Sequence, residues 1–87
     1  SDSGFSIQNV VCTGELNTEQ NLNAVAIQLG LDRIEYEPEQ FPGLIYRPQN
    51  HDCVLLVFGS GKVVITGCSD YNTASAAFDH LEENLIQ

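Results

Sequence analysis

Few side chains in this sequence could do chemistry, and their spacing supports little of it. The three cysteines, Cys12, Cys53 and Cys68, include no CxxC pair. His51-x-Cys53 lacks the further soft ligands that a structural zinc takes. An odd cysteine count is unlike a secreted disulfide scaffold, so reduced intracellular thiols are the expectation. Cys53 begins an apolar run and Cys68 ends one, which suits small buried side chains. Gly59-Ser60-Gly61-Lys62 resembles a fragment of a phosphate loop but lacks the GxxxxGK[ST] spacing, and it joins two strands rather than opening a helix. It reads as a hairpin. His51 and His80 stand among polar residues and read as solvated surface histidines. No Ser/His/Asp or Cys/His pair has local support. The expectation is a protein that is not an enzyme, with no metal and no cofactor.

The bounds are narrow. The 87 residues, 9.5 kDa, predict a single domain over 1–87. Hydrophobic residues at 43% and charged ones at 17% give a globular balance. The longest apolar run, Cys53 to Phe58, is far shorter than a membrane span. No basic stretch precedes a greasy one, so no secretory signal is read. Twelve acids against three bases give a net charge of −9. Spread evenly, that charge would exclude nucleic acid as a partner.

The elements that must carry any site can be read from periodicity. Gly4 to Thr13 is free of charge and β-branched at Ile7, Val10 and Val11, a strand. Asn17 and Thr18 are cap candidates, with Gln20 in capping-box register to Asn17. Leu22, Val25, Ala26 and Leu29 form a helical stripe closed by Gly30. Arg33 to Glu37 alternates as an edge strand that Pro38 stops. Phe41-Pro42-Gly43 turns into an extended Leu44 to Arg47, and Pro48 to Asp52 is loop. Cys53 to Phe58 is a strand apolar on both faces. The glycine hairpin leads to Lys62–Thr66, another strand. Ser69, Asp70 and Asn72 are cap candidates for a closing helix with Ala74, Ala77, Phe78, Leu81 and Leu85 on one stripe. The order β-α-β-β-β-β-α predicts an α+β fold, one antiparallel sheet of about five strands with two helices on one face.

Two helices cover one face of that sheet and leave the other open. Side-chain parity assigns Asn9, Val11, Leu56, Phe58, Val64 and Thr66 to the open face, with Phe41 and Arg47 nearby. This apolar surface is broader than a soluble monomer normally leaves bare. No acid occurs between Phe5 and Gly14 or between Cys53 and Ser69. The negative charge is therefore expected on the helices, the loops and the Glu35-Glu37-Glu39 arm. The sheet face is expected to be neutral to slightly basic.

Three stretches carry a resemblance. They are Ile7-Gln8-Asn9-Val10-Val11, then Glu35-Tyr36-Glu37-Pro38-Glu39-Gln40-Phe41-Pro42-Gly43-Leu44-Ile45-Tyr46-Arg47, then Val54-Leu55-Leu56-Val57-Phe58-Gly59-Ser60-Gly61-Lys62-Val63-Val64-Ile65-Thr66-Gly67. From Phe5 to Gln87 the sequence resembles one repeat of the TATA-box-binding protein family, archaeal type, and is more similar to the second repeat than the first. The resemblance implies half of a saddle whose concave sheet binds A/T-rich DNA in the minor groove. That groove offers a degenerate pattern of acceptors, so shape and apolar contact matter there. Kinking by apolar wedges is the family's known mechanism.

By motif position the resemblance implies Phe41 and Phe58 as the paired wedge. Asn9 would donate to base acceptors near the centre, with Thr66 beside it. Val11, Leu56 and Val64 would pack on the groove floor, and Arg47 and Lys62 would reach phosphates. Glu37, Glu39 and Gln40 fall on the arm that in this family docks transcription factor B, although Gln40 replaces an aliphatic residue frequent there.

Two departures shape the expectation. The family joins two repeats, and one is present here. A lone half leaves the edge of its first strand unpaired, which a twofold homodimer pairing first strand to first strand would cover. The closing helix carries Asp79, Glu82 and Glu83 with no Lys or Arg, where family members usually carry bases. Such acidity suits a salt-rich archaeal cytoplasm, with the protein on the nucleoid. Three bases limit the salt slope of DNA binding to about −2.7 per subunit at about −0.9 per phosphate. The alternative expectation is a regulatory or interaction module that uses the open sheet for dimerisation or a protein partner.

Overall fold

A computed structural model describes residues 10–49 and 51–85, so the expectation for Asn9 lies outside the described residues. Helix α1 (Leu22–Leu29) follows strand β1 (Val10–Glu15), and helix α2 (Tyr71–Leu85) follows the run of strands β2 (Ile34–Glu35), β3 (Leu44–Tyr46), β4 (Val54–Val57) and β5 (Lys62–Cys68). The strands form one antiparallel sheet in the order β1-β5-β4-β3-β2. This is the expected fold class and element order.

The core lies between one sheet face and the two helices. Leu44, Leu55, Val57, Val63 and Ile65 from the strands meet Leu22, Val25 and Ala26 of α1 and Ala74, Ala77 and Leu81 of α2. Burying each large aliphatic side chain is worth about 1.5–3 kcal/mol. At Gly14 the helix comes so close that an added Cβ would stand 2.8 Å from the Phe78 ring.

Local chemistry moves several boundaries. The cap of α1 is Asn21, not Asn17 or Thr18: its Oδ1 accepts from the Asn23 and Ala24 N–H groups at 3.1 and 3.2 Å. The residues before it are held elsewhere, because Leu16 N donates to Gly61 O and Gln20 N to Gly59 O, both at 2.7 Å. Gly61 has φ +99, and a Cβ there would collide with the Leu16 and Thr18 carbonyls, so the hairpin tip admits only glycine. Asp70 caps α2 by accepting the Thr73 N–H at 2.7 Å. These Thr73 bonds hold its carboxyl below the usual aspartate range. The expected edge strand from Arg33 to Glu37 shortens to β2, because Leu31–Arg33 is a 3-10 turn.

Two side-chain expectations are overturned. Cys53 and Cys68 form a disulfide, with Cα atoms 4.7 Å apart, and Cys12 alone is a free thiol. The antiparallel register of β4 and β5 brings the cysteines together, and counting cysteines along the chain does not reveal it. The histidines are not solvated singly. His80 packs on His51 at 5.0 Å between ring centroids and stacks on Tyr46 at 6.3 Å, with the Tyr46 hydroxyl 3.1 Å from His80 Nε2. Burial pushes the Tyr46 phenol up, and the Arg33 charge opposes this.

Candidate functional site

Alternation along the strands divides the sheet cleanly. Leu55, Val57, Val63 and Ile65 point to the helices and are at most 3% exposed. Their neighbours Val54, Leu56, Val64 and Thr66 are half-buried, on the face that carries no helix among the described residues. Cross-strand register aligns Thr13, Val64, Leu56, Ile45 and Glu35 in one row over all five strands. Ile45, Val54 and Thr13 therefore join the face, and the sequence reading missed them. Strict alternation in Leu44–Arg47 was the available signal for Ile45.

Val11 lies beside a register irregularity between Val10 and Cys12, opposite the positive φ of Gly67. It is 62% exposed, on the edge strand. A bulge of this kind re-aims side chains and increases local twist.

The aromatic pair is built over a glycine. The rings of Phe41 and Phe58 lie 5.8 Å apart and tilted at 60°. A Cβ on Gly43 would stand 2.9 Å from the Phe58 ring and 3.0 Å from that of Phe41. Gly43 alternates with the core residue Leu44, so both rings rest on the open face rather than under the helices. Phe41 is positioned by the preceding arm: the Gln40 and Phe41 N–H groups both donate to the Glu37 carbonyl, at 2.9 and 3.0 Å. Glu37, Glu39 and Gln40 are exposed on that turn.

The face is less free of acid than the composition of the strands implies. Glu35 shares the row of Ile45 and Leu56, and its Oε2 lies 3.0 Å from Arg47 Nη1. Arg47 is thus ion-paired rather than bare. Lys62 is exposed at the other end of the sheet, directly across the ladder from Glu15. Arg47 and Lys62 each stand opposite a carboxylate, Glu35 and Glu15. The cause is register: these partners are cross-strand neighbours, far apart in sequence.

Among the described residues no group of three or more His, Cys, Asp or Glu could hold a metal ion. No helix among them is long and apolar enough to cross a membrane. Fold and site together define an α+β protein that presents an aromatic, largely apolar sheet surface.

Comparison gives that class its family. The family model described as transcription factor TFIID (or TATA-binding protein, TBP) matches residues 4–87. TATA-box-binding protein C of Halobacterium salinarum is 53% identical over 83 residues, 95% of this chain and 46% of that protein. The TATA-box-binding protein of Archaeoglobus fulgidus is 52% identical over 79 residues, 91% of this chain and 43% of its own. The solved structure of Methanococcus jannaschii TBP superposes with a TM-score of 0.79 at 47% identity, covering 88% of this chain and 43% of that one. The chain belongs to the TATA-binding protein family, and its fold matches half of that family's saddle. It spans less than half the length of these relatives.

Proposed function

We propose that residues 1–87 act as a single repeat of a transcription initiation factor that binds and bends A/T-rich TATA DNA through the minor groove. The observation that carries this reading is the Phe41–Phe58 pair resting on Gly43, on the sheet face opposite α1 and α2. Two aromatic rings held at one end of an apolar face are suited to enter and unstack a base step. Val11, Leu56, Val64 and Thr66, with Asn9, would line the groove floor, and Arg47 and Lys62 would meet phosphates. A second copy would pair along the edge of β1 that has no strand partner among the described residues, because such an edge is a template for another strand. Glu37, Glu39 and Gln40 would dock transcription factor B. The setting would be the archaeal cytoplasm, at the nucleoid.

Gel retardation of a TATA duplex in molar salt, with a stoichiometry readout, tests the reading. Replacing Phe41 and Phe58 with Ala should abolish bending while dimerisation persists. Loss of dimerisation with DNA binding unchanged would assign the face to a protein partner instead. Glu37→Lys with Glu39→Lys should weaken the supershift by transcription factor B and leave the binary DNA complex intact.

A further inference from the structure

The chain has three basic residues, and two of them, Arg33 and Arg47, meet across the β2–β3 edge. The Arg47 N–H donates to the Arg33 carbonyl at 3.0 Å. Both residues line one cleft of about 240 Å³ with Asp32, Ile34 and Glu35. Like charges lining one cleft repel unless something negative joins them. Glu35 does this for Arg47, at 3.0 Å. The Arg33 side chain is exposed and has no ion pair among the described residues.

Two acids and two bases make this cleft neutral in a chain of net charge −9. A polyanion approaching this β2–β3 edge of the sheet therefore meets less repulsion here than over most of the surface. The cleft also continues into the aromatic site. Glu35 lines a second cleft with Glu37, Gln40, Phe41, Gly43 and Ile45. A strand of nucleic acid wedged at Phe41 would thus have a continuous path along β2 and β3 to the two arginines.

We propose that the Arg33–Arg47 cleft is a phosphodiester subsite, in which Arg33 is a second phosphate-binding residue and the phosphate displaces Glu35 from Arg47. This rests on the DNA-binding reading above and adds a residue that the resemblance did not supply. Guanidinium forks bind phosphate oxygens in a fixed geometry, so a paired site needs Arg rather than a point charge.

Arg33→Gln tests it by fluorescence anisotropy on a TATA duplex across a KCl series. Binding should weaken roughly three- to tenfold, as for removal of one exposed charged hydrogen bond. The slope of log K against log salt should move by about +0.9, as for one fewer phosphate neutralised. The weakening should be equal on TATA and non-TATA duplexes, because phosphates carry no sequence. Arg33→Lys should keep the slope and recover part of the affinity. An unchanged thermal midpoint in Arg33→Gln confirms that the variant folds. Affinity and slope equal to those of the unsubstituted protein, while Phe41→Ala abolishes binding, would overturn the subsite and leave the DNA reading standing. No binding by the unsubstituted protein would overturn both.

Discussion

Gly43 supports the two rings that give the open face its shape. Its alanine variant needs no unusual backbone angle, yet its Cβ would press on both rings at 2.9–3.0 Å. Gly43→Ala should therefore displace Phe41 or Phe58 and reduce DNA bending, read by end-to-end energy transfer, with little change in thermal midpoint. Gly61→Ala should do the reverse. Its positive φ and the collision with the Leu16 and Thr18 carbonyls should cost roughly 2 kcal/mol or more in denaturant melts, with the wedge geometry kept. At this scale the sequence was legible wherever parity or a local motif decides the outcome: Leu56, Phe58, Val64 and Thr66 fall on the face that alternation assigns them. It was not legible where partners are brought together by ladder register. The Glu35–Arg47 pair and the Cys53–Cys68 bridge join residues that no local pattern connects, and the tilted His51–His80 contact joins a loop to α2.

The elements were readable in type and order, and their ends less so. Asn17 looks as good a cap as Asn21 until the Gly59 carbonyl claims the Gln20 N–H and fixes where the helix can begin. Asn21→Ala should cost about 1 kcal/mol, and Asn17→Ala much less, in the same melts. At the head of α2 the carboxyl of Asp70 is lowered by its Thr73 bonds. A lowered folded value means stability that is present above the ordinary aspartate range and lost as pH falls through the folded value. An acid titration followed by circular dichroism should show this loss, and Asp70→Asn should remove its pH dependence. The disulfide closes a segment of 15 residues around the β4–β5 hairpin. Replacing both cysteines with Ala should cost about 3 kcal/mol on the chain-entropy estimate, checked against reduction of the unsubstituted protein.

For the whole molecule, the governing quantity is charge placement. Net charge −9 opposes approach to DNA, and the bases on the open face stand opposite carboxylates. Added salt screens the repulsion and loosens these pairs at the same time. DNA affinity should stay flat or rise between low and molar KCl, in contrast to the steep fall shown by basic binders. An anisotropy series that fell steeply would contradict this.

The placement of β1 at the sheet margin beside β5 also has a temporal consequence. Gly14 pairs with Val63, about fifty residues downstream, so β1 has no strand partner among the described residues until β5 has been synthesised. Closing so long a loop early is entropically costly, and such topologies assemble slowly. β1 is made before the other strands of this sheet yet is among the last of them to be secured, and a nascent chain holds its apolar residues exposed to chaperones or to neighbouring copies in the meantime.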